Sequence, residues 1–386
     1  MIVRIAQVAP LSVRMPPRKY GGSERVVHAL TEELVRRGHD VVVFGSGTSE
    51  TSGRLIQICP RPLWELPISD PLAYRVLQVE ELVRWSDEFD VIHGHVDYLP
   101  WLAAGRLRAP MVTTMHGSLD LPEYRPLFAT HPEQALVSIS DCQRRPLADL
   151  DLNWVGTVHQ GLELAGTYQL GAGDGAYLVF LGRISPEKGP QQAIRVALRA
   201  GMPIKLAARV DPVDEAFFER EVQPFLEHPL VHWLGEVDDA EKVELLRDAA
   251  ALLMPIQRDE PFGIAFIEAM AAGTPVITHP RGSVPELLRH GVHGFIVPTE
   301  DEMVDACRRV GEIDRGTCRR HALARFSVER MTDDYERIYG RVVARRTWSR
   351  VAATERLVPS MSLRSPSAPE PVPVAGNGFR PVIRPN

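Results

Sequence analysis

Tyr177-Leu178-Val179-Phe180-Leu181-Gly182-Arg183-Ile184-Ser185-Pro186-Glu187-Lys188-Gly189 leads directly into Pro190–Ala200, then Gly201, then Ile204–Ala208. An apolar run over 177–181 predicts a buried strand. A glycine-bounded loop over 182–189 follows. Pro190 suits a first helical turn, Gly201 a helix stop, and 204–208 a second strand. The same plan opens the chain. Val3–Val8 predicts a strand, Tyr20-Gly21-Gly22-Ser23 a loop, Glu24–Arg37 a helix with Ser23 as its N-cap, Gly38 a stop, and Asp40–Phe44 a strand. Further strands are expected at Phe89–His93, Met111–Thr114, Val231–Leu234, Ala251–Met254 and Thr274–Thr278. Strands alternating with helices give parallel sheets covered on both faces. The fold class is therefore α/β, with two facing Rossmann-like doubly wound domains and a cleft at the carboxyl ends of their strands.

Glycines at 166, 171, 173 and 175 place the boundary in 165–175. The expected organisation is an N-terminal domain over 1–165, a second domain over 176–330, and a final helical segment over 331–350. A Pro/Ser-rich tail over 352–386 is read as disordered. The chain has 386 residues, is 44% hydrophobic and carries a net charge of −6, so no overall basic field recruits nucleic acid. Four scattered cysteines lack metal-ligand spacing and read as reduced thiols. No apolar run has membrane-spanning length, and the first residues read as a strand rather than a leader. A cytoplasmic setting is expected.

Glu260-Pro261-Phe262-Gly263-Ile264-Ala265-Phe266-Ile267-Glu268-Ala269-Met270 carries two carboxylates, one before a short helix and one inside it. Apolar neighbours surround Glu268, so its helix is buried and the carboxylate needs a partner; sugar hydroxyls are one class of partner. Arg183 and Lys188 put a guanidinium fork and a mobile ammonium on the 182–189 loop, the pair a diphosphate requires. A solvated loop paired through Glu187 is the bland alternative. Gly21-Gly22 lets backbone approach a ligand or the other domain, or simply makes a turn. His116, ending a strand, is placed to hydrogen-bond a sugar hydroxyl, to stabilise developing charge, or to be a capped structural histidine. His93 and His95 form an HxH pair without a matching carboxylate or cysteine cluster, so metal is the weaker reading. Arg308, Arg309, Arg315, Arg319, Arg320 and Arg325 read as a solvated helical face. Trp64, Tyr74 and Trp85 leave a membrane, an acceptor or the core as partners; membrane contact has no further support, and core packing is the ordinary reading.

Taken together, Tyr20–Arg25, Met115-His116-Gly117, Val137–Ser140, Leu181–Gly189 and the Glu260–Glu268 segment resemble the GT4 family of retaining glycosyltransferases with the GT-B fold, over about 3–339. The resemblance implies a nucleotide-diphospho-sugar in the second domain, UDP-linked before GDP-linked. Arg183 and Lys188 would hold the diphosphate and neutralise the leaving group. Glu260 would lie near the donor sugar and Glu268 on the ribose hydroxyls. The amides of Phe262, Gly263 and Ile264 would meet sugar and diphosphate. Gly22 would let the first domain close over the phosphates, and His116 would touch the donor sugar. The last helix, with Met331–Val343 as candidate, would return to the first domain. The acceptor, a small molecule, glycan or lipid-linked group, stays open. No DxD-type metal site stands out and no cofactor is implied. Gln160 departs from the family, which has Asn-Gly or His-Gly at this turn. A GT-B nucleotide-sugar 2-epimerase and a non-catalytic nucleotide-sugar-binding protein are the rival readings. The missing GxGxxG disfavours a nicotinamide dehydrogenase.

Overall fold

A computed structural model describes residues 2–356, with side chains to 344. Two parallel sheets organise the chain. The first contains β1 (Arg4–Val8), β2 (Asp40–Ser46), β3 (Arg54–Cys59), β4 (Val91–Gly94), β5 (Met111–Thr114), β6 (Ala135–Ser138) and β7 (Trp154–Thr157), in the order β3-β2-β1-β4-β5-β6-β7. The second contains β8 (Leu178–Ile184), β9 (Ile204–Val210), β10 (Val231–Gly235), β11 (Ala251–Met254), β12 (Val276–Thr278) and β13 (Gly294–Ile296), in the order β10-β9-β8-β11-β12-β13. Every strand pair is parallel. Parallel strands need crossovers, and the crossover helices cover both faces. That is why all of β4 and β11 is buried.

Strand order reverses between β1 and β4 in the first sheet and between β8 and β11 in the second. Loops leaving adjacent strands at such a point diverge to opposite faces and open a crevice. The loops after β8 and β11 carry Lys188 and Glu260.

Several boundaries differ from the sequence expectation. The first helix runs Gly22–Arg36, capped by Gly21 without a side-chain bond, so Ser23 lies inside it and is not its N-cap. Glycine in the cap lets the chain enter the helix with a backbone φ of 148°. β8 continues to Ile184, so Gly182 and Arg183 belong to the strand end. Pairing with β9 holds them there, with Arg183 opposite Arg209. Helix Pro190–Ala200 and strands β5 and β11 lie where expected.

The chain passes from the first sheet to the second after β7 and returns through helix Val328–Arg356. The two crossings touch. Leu162 donates its N–H to the Phe326 carbonyl at 3.0 Å, and Val328 donates to the Leu162 carbonyl at 3.0 Å. The returning helix buries Tyr335 and Tyr339 against His93 of β4, at ring distances of 4.7 and 5.6 Å. Arg37 locks its outer face through Asp333 and Glu336 at 2.6 and 2.7 Å. This helix runs past the start of the expected tail to Arg356; 357–386 lie outside the described residues.

Two arginines of the expected solvated face are structural. Arg315 donates to the carbonyls of Gly171, Ala249 and Arg247, and Arg319 to those of Tyr168 and Ala271. Guanidinium forks here satisfy carbonyls where the linker meets the second sheet, a task invisible in charge spacing. All four cysteines are buried free thiols. No helix of the described residues is long and apolar enough to cross a membrane.

Candidate functional site

A cavity of about 440 Å³ lies between the two sheets. Gly22, His116, Arg183, Lys188, Glu260, Phe262, Gly263, Ile264 and Glu268, the nine residues expected from sequence, all line it. Their convergence follows from the topology. Gln257 donates its N–H to the Glu187 carbonyl at 2.7 Å, holding the loop after β8 against the segment after β11. Lys188 Nζ thereby meets Glu260 Oε2 in a direct ion pair. Burial pulls the Lys188 ammonium down, but Glu260, with smaller help from Tyr20 and Glu187, holds the group above its ordinary value. Arg183 sits among three carboxylates: Glu187, with Asp211 at 3.3 Å and Asp214 at 3.4 Å. So the Glu187 pairing of the bland reading is present, yet the guanidinium still lines the cavity.

Gly263 has φ 90° and caps helix Ile264–Ala271 in the left-handed region. A Cβ there would sit 2.5 Å from the Phe266 ring, so only glycine makes this turn. Gly22 makes a close approach across the cleft, where a Cβ would lie 3.3 Å from Ile264 Cδ1.

Glu268 is buried, as its apolar helix requires, and its partners lie within the chain. Lys242 Nζ stands 2.6 Å and Tyr168 Oη 2.8 Å from Oε1. Neither partner was legible by motif. Lys242 does carry a local signal: it sits three and four positions before Leu245 and Leu246 on helix Asp239–Asp248, a lysine on an apolar face. Arg25 of the first helix joins from across the cleft, donating to Asp239 Oδ2 at 2.7 Å. Glu24, one position earlier, is buried at the cavity wall, and burial holds its carboxyl above the usual range.

At the mouth, Arg209 stacks between Tyr20 and Trp64, 4.4 and 4.6 Å from the ring centres. Trp64 is 58% exposed, so the core reading fails for it; the short turn Leu63–Glu65 leaves its ring at the cleft edge. Tyr74 and Trp85 do pack against first-half apolar clusters. On the opposite lip, Ser140 Oγ donates to the Pro261 carbonyl at 2.7 Å, and Glu286 accepts the N–H groups of Asp141 and Cys142 at 2.8 Å each.

His116 lies half-buried at the cavity wall. Its Nε2 lies 2.9 Å from His95 Nδ1 and its Nδ1 lies 2.9 Å from Gln160 Nε2. His93 bonds Tyr339 and Thr114, at 2.7 and 2.8 Å. Burial pushes His116 down to about 4. Burial, then neighbouring imidazoles, pushes His93 and His95 well below the ordinary range.

With this geometry in place, comparison with known proteins is informative. The family described as "Glycosyl transferases group 1" matches residues 169–321, and "Glycosyltransferase Family 4" matches 20–170. The two matches overlap at 169–170 and together take in both sheets except β1. The chain is a GT4-type glycosyltransferase. This enzyme is 28% identical to a phosphatidyl-myo-inositol mannosyltransferase of Mycolicibacterium smegmatis, over 84% of this chain and 88% of the relative. Its fold resembles a sucrose-phosphate synthase from Thermosynechococcus elongatus, with a TM-score of 0.75 and 19% identity over 88% of this chain and 99% of that one. It also resembles Anabaena HepE in complex with UDP and glucose, with a TM-score of 0.70 and 17% identity over 87% and 98% of the two chains. The glycosyltransferase therefore has the two-domain GT-B fold.

Two outcomes follow for the buried groups. Lys242→Met leaves the Glu268 carboxylate with only the Tyr168 hydroxyl, and should destabilise the enzyme by about 3 kcal/mol in urea unfolding. Lys242→Met combined with Glu268→Leu should recover most of that loss; no recovery would refute the pairing. Secondly, His93, His95 and His116 stay neutral in the fold while the unfolded chain protonates them near the ordinary 6.5. Folded values below the unfolded ones give stability that is full above 6.5 and lost as pH falls toward about 4. Each contributes up to about 1.4 kcal/mol per pH unit within that window. Urea midpoints should therefore drop steadily from pH 6.5 to 5, and a flat profile would contradict the burial.

Proposed function

We propose that this enzyme moves a sugar from a nucleotide-diphospho-sugar, UDP-linked before GDP-linked, to an acceptor hydroxyl with retention of anomeric configuration and without a metal. One observation carries the reading: Arg183, Lys188, Glu260 and Glu268 line a single cavity at the switch point of the second sheet. Residues 176–330 are assigned the donor and 1–165 the acceptor, with 331–350 returning to the first domain. Arg183 and Lys188 hold the diphosphate, and their cations stabilise the charge that builds on it as the sugar leaves. An incoming diphosphate competes with Glu260 for the Lys188 ammonium. That frees the Glu260 carboxylate for sugar hydroxyls. Glu268, already shared with Lys242 and Tyr168, takes the ribose hydroxyls at its remaining lone pairs. The amides of Phe262, Gly263 and Ile264 face the sugar and diphosphate, and Gly22 lets the first domain close over them.

A same-face attack, in which the departing phosphate accepts the acceptor proton, fits this wall. A double displacement needs a carboxylate at the anomeric carbon, and Glu260, the candidate, is assigned here to the sugar hydroxyls. Neighbours of the same fold include one described with UDP and glucose, which supports the uridine preference. The mannosyltransferase relative names a phosphatidylinositol acceptor; for this chain a small molecule, a glycan or a lipid-linked group remains the acceptor class. The reaction is assigned to the cytoplasm.

Calorimetric titration with UDP, GDP and ADP, followed by donor-hydrolysis assays with the tightest base, tests the assignment. UDP is expected to bind best, and binding of none would remove the reading. Lys188→Ala should lower turnover by at least ~10²-fold. Near-normal turnover in that variant would take Lys188 out of catalysis.

A further inference from the structure

The donor sugar was expected to meet a ring nitrogen of His116, but both nitrogens are engaged inside the protein. Counting donors along this contact chain fixes where each proton sits. Gln160 Nε2 can only donate, so Nδ1 of His116 must accept. A neutral imidazole has one N–H, which then lies on His116 Nε2 and donates to His95 Nδ1. His95 in turn carries its proton on Nε2, 2.8 Å from Gln7 Oε1, which can only accept. Four side chains thus agree on one direction. Gln7, His95 and Gln160, which flank the half-buried His116 on both sides, are at most 4% exposed, so water does not supply alternative partners to these three. The chain starts at Gln160, the one position where the turn after β7 departs from the family pattern.

We propose that Gln160 is a positioning residue that fixes His116 as the neutral Nε2–H tautomer, so that the ring lining the cleft carries neither a charge nor a basic nitrogen available to the sugar. The physical purpose follows from the reaction. A sugar losing a diphosphate gains positive charge, and an imidazolium beside it would oppose that step. A free basic nitrogen would instead offer a proton acceptor to water, favouring hydrolysis over transfer. His116 then acts by shape and by its carbon edge, not as an acid or base. The functional part of this inference rests on the glycosyl-transfer reading; the tautomer itself does not.

Long-range proton–nitrogen spectra of the full chain, labelled with ¹⁵N-histidine, read the tautomer directly, with His116 identified by its loss in His116→Asn. In the unmodified enzyme Nδ1 should show the shift of a bare nitrogen and Nε2 that of a protonated one. Gln160→Glu replaces the donor by an acceptor. It should move a proton onto Nδ1 of His116 and lower kcat by roughly tenfold or more with a smaller change in donor KM. If Gln160→Glu does not fold, Gln160→Met removes the donor without adding charge and should leave His116 in mixed tautomers. Protonation at Nδ1 in the unmodified enzyme, or a His116 signature that neither variant changes, would overturn the proposal. Nucleotide titration of the same samples separates the two failures. Absence of UDP, GDP and ADP binding would sink the transfer reading and leave the tautomer result standing.

Discussion

A carboxylate placed inside an apolar helix constrains everything around it. Glu268 cannot remain charged and buried without partners, and the chain satisfies it from two directions. Lys242 comes from the helix after β10, and Tyr168 from the segment joining the two sheets. Three otherwise separate pieces of backbone are thereby tied to one point at the cleft wall. Asp239, one turn before Lys242, extends that point to Arg25 of the opposite half. The polar wall of the cleft and the joint between its halves are therefore one network. A change that relieves the buried charge also changes how the halves meet.

Around this network the cations are already counterbalanced. Lys188 pairs with Glu260, and Arg183 with Glu187, Asp211 and Asp214. Such a wall does not attract any passing anion strongly, because each cation must first give up a carboxylate. A diphosphate, with several oxygens to offer at once, competes better than a single carboxylate or chloride. Selectivity here comes from exchange between partners more than from net field, consistent with a chain whose net charge is −6.

Much of the fold was legible because its signals are local. Strand, glycine loop, helix and glycine stop read off 177–208 and again off 3–44, and the expected helix Pro190–Ala200 coincides with the one observed. The Glu260–Glu268 segment and the 182–189 loop announced the site because each combines charge with an apolar or glycine setting. What stayed hidden depends on tertiary partners. β3, Arg54–Cys59, pairs only with β2 at the sheet edge, is half exposed, and lacks the continuous apolar run of an interior strand. Ser23 looked like a cap, but Gly21, at a backbone φ of 148°, starts the helix at Gly22 and leaves Ser23 inside it. Arg315 and Arg319 lie among arginines of similar spacing and differ only in what their forks reach. Tyr168 sits in a glycine-rich connection that gives no hint of its hydroxyl's destination.

The paired crossings at Leu162 and Val328 have a mechanical consequence. One isolated bridge and two backbone hydrogen bonds hold the outgoing and the returning segment at the same point. The chain's exit from the first sheet and its return to it are thus tied to each other by backbone alone. The opposite lip and the mouth meet instead through side chains, Ser140 and Glu286 at one and the rings around Arg209 at the other, so a side-chain substitution there leaves the backbone joint in place.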